Sequence, residues 1–277
     1  MASTRVVPFV YLFSLAVASS ASGGDWGKAP IQAKEVIEEC LDLGGVIATG
    51  YETDYFFKGA RFAGDSVWMD VNYTFDSLKV PVTLGAWYLN GINDASGPST
   101  GIGSGYDELR LSADAMIGTY AGIDTRLGYT HYLFPEFRSN LLPFGGYGEL
   151  GLDLARSLGF VDVVFASDYA LGGGGTAPRG WYHQLGLEKQ FDLTDSLTVV
   201  FGSGIAYSDG YYVASGWNHY YATVSLPIEL NCRTTLTPYL GYTGATDGMV
   251  TDGILFGSVG TPQSDVLHGG VALSISF

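Results

Sequence analysis

The sequence predicts an all-β protein: an up-and-down antiparallel transmembrane β-barrel of about twelve strands, preceded by a short N-terminal helix. Three observations predict it. From Gly44 onward, apolar residues alternate with small or polar ones, the period of strands with one apolar face. The alternating segments begin near residues 45, 66, 80, 107, 120, 146, 161, 180, 196, 217, 234 and 267, and most run about ten residues, the length a tilted transmembrane strand needs. Short connections then take turns with long ones, as in outer-membrane barrels with tight periplasmic turns and long outer loops.

Residues 1–22 read as a signal peptide. Arg5 supplies the positive n-region, "VVPFVYLFSLAVA" the apolar core, and "SSASGG" small residues for cleavage. The apolar run falls short of the ~20 residues of a membrane helix. No L-x-x-C pattern marks a lipoprotein. Residues 23–43 form a periplasmic segment carrying one amphipathic helix, "IQAKEVIEECLDL", with Val36, Ile37, Cys40 and Leu41 on one face.

The barrel takes residues 44–277. In "LTVVFGSGIAY", Leu197, Val199, Phe201, Ile205 and Tyr207 lie on one side, and Thr198, Gly202, Gly204 and Ala206 on the other. "NHYYATVSLPIEL" repeats the pattern, and "HGGVALSISF" puts Val271, Leu273, Ile275 and Phe277 together. "FDSLK", "IGTY", "RSLGF", "LTDS" and "NCRT" read as the short turns; "KGARFAGD" and the Gly-rich stretches read as the long loops. An even strand count leaves both termini in the periplasm.

Composition supports this class. Charged residues make up 15% of the chain, against ~25% in ordinary soluble domains. The net charge of −15 excludes nucleic acid as a partner, since phosphate binding needs a basic face.

"GYETDYFFKGARFAGDS", followed by "VWMDVNY", resembles the opening of the TorF-type porin family, with Asp54, Tyr55, Phe57, Lys58 and Gly59 matching its first motif and Lys58 in place of the usual Arg. "DELRLSADAMIGTYAGIDTRLGYTHYLFPEF" is similar to that family's central hairpin. The resemblance spans roughly residues 45–245 and implies a bacterial porin-like barrel, with no substrate or catalytic residue attached. The terminal strand ending at Phe277 resembles the targeting signal of outer-membrane proteins. This implies the barrel-assembly machinery as a partner, beside outer-membrane lipid and lipopolysaccharide.

Facing away from the apolar set, the strands carry Asp70, Arg110, Asp114, Asp124, Arg126, Glu149, Asp153, Glu188 and Glu229, the candidate pore-lining residues. Glu52, Asp54, Glu108, Asp162 and Asp168 share their register, as do Trp68, Trp87, Tyr147 and Tyr221. A turn at residues 118–119 would set Asp114 across from Asp124, and the next hairpin would bring Asp153 to Arg126, so that one guanidinium bridges three carboxylates. Acidic rings favour cations, and twelve strands lie between side-chain-filled barrels and wide porins. The expected function is a narrow, acidic-lined channel for small or cationic solutes. The alternative is a non-conducting structural or adhesion barrel.

A hydrolase is the less favoured reading. His131, His183, His219 and His268 are scattered, and "AYSDG" at 206–210 misses the G-x-S-x-G elbow at Ala206. That reading would need a His and a Ser or Asp to meet at an outer rim. No cofactor or metal is expected: "GIGSGY" has Tyr106 where a dinucleotide loop needs Gly, and Asp247 and Asp252 in "TDGMVTDG" read as two turns. Cys40 and Cys232 both fall on the periplasmic side, where disulfides persist. They are a candidate bond that would pin the N-terminal helix under the barrel; two unrelated thiols is the other reading.

Overall fold

A computed structural model describes residues 43–93, 106–135, 146–172, 179–194, 197–211, 215–246, 254–255, 258–259 and 265–277. Its strands are β1 (Gly45–Glu52), β2 (Tyr55–Phe57), β3 (Ala60–Ala63), β4 (Ser66–Phe75), β5 (Val82–Gly91), β6 (Asp107–Tyr120), β7 (Ile123–Leu133), β8 (Gly146–Ser157) and β9 (Asp162–Leu171). They continue as β10 (Arg179–Thr194), β11 (Leu197–Asp209), β12 (Gly216–Ser225), β13 (Ile228–Asn231), β14 (Thr234–Ala245), β15 (Ile254–Leu255), β16 (Ser258–Val259) and β17 (Val266–Ser276). The signal-peptide segment and the expected 31–43 helix lie outside the described residues, Leu43 excepted.

The large sheet runs from β12 in descending order to β4, then through β1, β17 and β14 to β13, and a β12–β14 pairing closes it. β12 and β13 are one stave interrupted at Leu226–Pro227, because both pair with β14. Proline has no N–H to give the ladder, and the Leu226 N–H instead bonds the Pro238 carbonyl at 3.0 Å. The result is a closed, antiparallel, twelve-stave barrel, as the alternation predicts.

The first and last staves seal it. Val46 pairs with Ser276, Thr49 with Leu273 and Tyr51 with Val271. The Phe277 N–H donates to the Gly45 carbonyl at 2.9 Å, and the Phe277 carbonyl accepts from Leu43 and Gly45 at 2.9 and 3.0 Å. A side chain at position 45 would collide with the Phe277 ring, so glycine gives that ring its seat.

Alternation sorts the two surfaces. On β4, Ser66, Trp68, Asp70 and Asn72 turn inward and are buried, while Val67, Met69, Val71 and Tyr73 are exposed outward. Leu84, Leu111, Leu127, Leu150, Leu185 and Phe201 continue the exposed apolar wall round the barrel. A continuous apolar exterior of this kind faces hydrocarbon, while the interior carries the polar residues.

Two local expectations are corrected. The β6–β7 turn lies at Ala121–Gly122, with φ of 53° and 75°, rather than at 118–119. Two left-handed central residues give the turn twist a hairpin favours, and Gly118 instead marks a bulge opposite Thr125–Arg126. Asp114 therefore pairs with Gly128, and Asp124 pairs with Thr119, so the two carboxylates are not opposed. "KGARFAGD" is no open loop either, for much of it builds the β2–β3 hairpin.

The wall sets a depth-dependent test. Leu127→Arg, midway along β7, should lower stability by about 2–4 kcal/mol, and Leu267→Arg, at the start of β17, by about 0–1 kcal/mol. Reversible unfolding in lipid vesicles measures both, and equal costs would contradict the membrane orientation.

Candidate functional site

At the end of the barrel where β1 leads on to β4, the β2–β3 hairpin folds back into the lumen. Phe57 pairs with Ala60 across a two-residue turn, Lys58–Gly59. Both turn residues are left-handed, with φ of 47° and 82°, the geometry of a tight hairpin. Tyr55, Phe56, Phe57, Lys58, Ala60, Arg61, Phe62 and Ala63 are all buried. Because both faces of this hairpin are enclosed, it carries no period-two pattern. Gly59 is pressed against His219 and Asn218 of β12, where a side chain would collide.

The hairpin tip places a cation among acids and rings. Lys58 Nζ lies 2.5 Å from Asp168 Oδ2 and 3.3 Å from Glu149 Oε2. It also stands 4.5 Å from the centre of the Tyr182 ring and 5.1 Å from that of Tyr211, within cation–π range. The Tyr132 and Tyr211 hydroxyls donate to Glu149, and the Tyr147 and Tyr211 hydroxyls lie 2.8 Å apart. A carboxylate held by two hydroxyls and an ammonium keeps its lone pairs occupied in a buried site.

Arg110 on β6 anchors the base of the same hairpin. Its Nε donates to Glu108 Oε1 at 2.5 Å, and its guanidinium lies 4.0 Å from the centre of the Trp87 ring. It also donates to the Tyr55 hydroxyl. Tyr55 and Tyr106 donate in turn to Glu108, and Arg61 pairs with Asp54 inside the hairpin segment. Beside the mouth, hydrogen bonds from Tyr51 and Asn93 hold the Asp65 carboxyl below the usual carboxylate range, tying the hairpin's exit to β1.

Nearer the tight-turn end, Arg126 donates to Asp153 Oδ2 at 3.1 and 3.2 Å, across directly paired positions of β7 and β8. Asp114 stands diagonal to Arg126 in the register, and its buried Oδ1 accepts no hydrogen bond from the described residues. The guanidinium thus grips one carboxylate and lies diagonal to a second. Asp70 is buried and accepts from Asn72 at 2.6 Å. Glu188 is half-buried on β10. Asp124 is half-buried at the turn end and accepts from Thr119, and Glu229 is exposed on β13. Asp70, Arg110, Asp114, Arg126, Glu149 and Asp153 thus share the lumen, while Asp124 and Glu229 stand towards its tight-turn end.

Sequence reasoning missed Lys58 and the hairpin's aromatic residues as parts of the lumen. The available signal was the dipeptide Lys58–Gly59 between "YFF" and "ARFA", a two-residue turn between apolar runs. The outward wall holds a second constellation. Ser167 Oγ is 2.9 Å from His183 Nδ1, in a groove of about 460 Å³ that Leu127, Leu150, Leu152, Tyr169 and Trp181 also line. Among the described residues, no cluster of His, Cys, Asp and Glu is placed to hold a metal ion.

No protein-family model matches the chain, and no curated protein matches it. Solved structures do. An outer-membrane channel from Pseudomonas putida F1 aligns over 89% of this chain and 100% of its own, with TM-score 0.53 at 13% identity. The KdgM porin aligns over 84% of this chain and 99% of its own, with TM-score 0.51 at 8% identity. The chain has the fold of outer-membrane channel barrels. At these identities the likeness concerns the barrel, and the lumen must be read from its own residues.

The Arg126–Asp153 pair gives a test of the lumen's electrostatics. Arg126→Met should cost about 3–5 kcal/mol, because it strands a buried carboxylate, and adding Asp153→Leu should recover much of the loss. Urea unfolding of the single and double variants checks this; additive losses would mean that the pair does not interact.

Proposed function

We propose that this chain is a bacterial outer-membrane, porin-like barrel that passes small or cationic solutes through an acidic lumen narrowed by the β2–β3 hairpin. One observation carries the reading. Among the described residues, nine buried carboxylates face four buried cations, namely Lys58, Arg61, Arg110 and Arg126. Acid-lined passages concentrate cations and repel anions. The hairpin takes up much of the long-loop half of the lumen, which excludes bulky solutes. The TorF-type resemblance belongs to this reading, as do export by the 1–22 signal peptide, periplasmic termini and assembly through the strand that ends at Phe277.

Planar-bilayer recording of the purified barrel tests the proposal. The expected result is a small conductance with potassium preferred over chloride, raised when residues 55–63 are replaced by a short Gly-Ser linker. Chloride preference would overturn the acidic-filter reading. Silence in both proteins would favour the rival, a non-conducting structural or adhesion barrel.

Cys232 lies in the turn between β13 and β14 and is disulfide-bonded. Cys40 lies outside the described residues, and it is the chain's one other cysteine. The reading pairs the two, which tethers the N-terminal segment to the tight-turn end. Peptide mapping without reductant should recover a Cys40–Cys232 cross-linked pair; two separate thiols would refute it.

A second reading is favoured by Ser167 and His183, which meet on the outer wall as a nucleophile and base would. The His183 ring stacks on Phe165 and Trp181, and no carboxylate among the described residues bonds it. A hydrolase acting on membrane lipid would use this pair. A fluorophosphonate probe should leave Ser167 unlabelled if the channel reading is complete, and stoichiometric labelling would establish the second activity.

A further inference from the structure

The surroundings of Lys58 have the chemistry of a binding site. Glu149 comes from β8, Asp168 from β9 and Tyr182 from β10, with Asp168 and Tyr182 directly paired in the ladder. Tyr211 follows the end of β11 and is held in place through Glu149 and Tyr147. These four residues belong to the barrel wall and its rim. The ammonium they surround belongs to the inserted hairpin.

Two acids and two aromatic faces around one ammonium form a cage for an organic cation. The acids supply charge and accept N–H donors. The rings supply π faces that attract the ammonium and apolar surface for the alkyl chain, which a bare metal ion lacks. A neutral solute would leave two buried carboxylates uncompensated, so the cage discriminates by charge as well as shape.

We propose that the cage of Glu149, Asp168, Tyr182 and Tyr211 is a binding site for solutes carrying a primary alkylammonium group, and that Lys58 occupies it as a tethered competitor. The inference rests on the channel reading only for its transport consequence. The incoming amine replaces the Lys58 head group between the same carboxylates, and the hairpin tip then leaves the passage. No covalent step is involved. Because the competitor is tethered, it holds the site at high effective concentration, and the hairpin tip keeps the passage narrow until amine is abundant.

The test uses the full-length Lys58→Ala barrel in detergent, with n-butylammonium chloride as the probe. That cation reproduces the lysine side chain from its Cβ outward. Calorimetry should show one site in Lys58→Ala, with at least about tenfold weaker apparent affinity in wild type, where Lys58 competes. Adding Glu149→Gln and Asp168→Asn to Lys58→Ala should weaken binding by about tenfold or more. Sodium chloride at equal concentration and n-butanol should not substitute. If Lys58→Ala folds poorly, folding yield on a heat-modifiability gel should rise with n-butylammonium and not with sodium. Lack of both binding and rescue would overturn the proposal, as would binding that survives loss of both carboxylates.

Bilayer recordings separate this proposal from the channel reading. In Lys58→Ala, n-butylammonium should reduce the potassium current by dwelling in the cage. A conducting variant that ignores the amine would refute the cage and spare the channel. Calorimetric binding in a silent barrel would refute the channel and spare the cage.

Discussion

Hydrocarbon offers no hydrogen bonds, and every other feature of this molecule follows from that. A strand crossing it must give each N–H and carbonyl a neighbour on both sides. Twelve staves do so only as a ring, which requires β1 to find β17 across the full length of the chain. Gly45 and Phe277 show how closely the joint is fitted: the ring of one occupies the space left by the other. Once the ring is closed, the choice of inner and outer residue is fixed along every stave by the pleat.

Closure creates the second problem, an interior too wide to be filled by the wall alone. The chain answers it with its own β2–β3 hairpin. This insert is apolar along much of its length, yet it is held by charges at base and tip: Arg110 with Glu108 below, Lys58 with Asp168 and Glu149 above. A charge in a dry interior is costly unless paired, so these contacts fix where the hairpin sits as well as offsetting the cost of burying it. Tyrosine is suited to the intervening space, because its ring fills volume while its hydroxyl serves a carboxylate, as Tyr132 and Tyr211 do for Glu149.

The staves were legible in the sequence because each separates lipid from a polar lumen, and that contrast is written residue by residue. "LTVVFGSGIAY" reads as a strand with one apolar face on that contrast alone. The Arg126–Asp153 pair was legible for the same reason: strand register is a local inference. The β6–β7 turn was not, since Gly118 and Gly122 both offer the backbone freedom a turn requires, and Ala121 adopts a left-handed conformation that its type does not advertise. The hairpin escaped for a deeper reason. Residues enclosed on every side lose the contrast that periodicity detects, so Tyr55 to Ala63 look like an aromatic loop until the barrel around them is known. With them went the role of Lys58, whose partners lie about a hundred residues away in the chain.

The seam between β1 and β17 also has a consequence in time. Val46 and Ser276 are partners, so the last wall contact to become available joins the two most distant parts of the sheet. Closing so large a loop is entropically slow. Until it happens, the growing sheet keeps two bare edges, each able to recruit a stranger's strand. The molecule is therefore most open to edge-to-edge pairing just before its ring is complete, and the arrival of the final stave removes both edges at once.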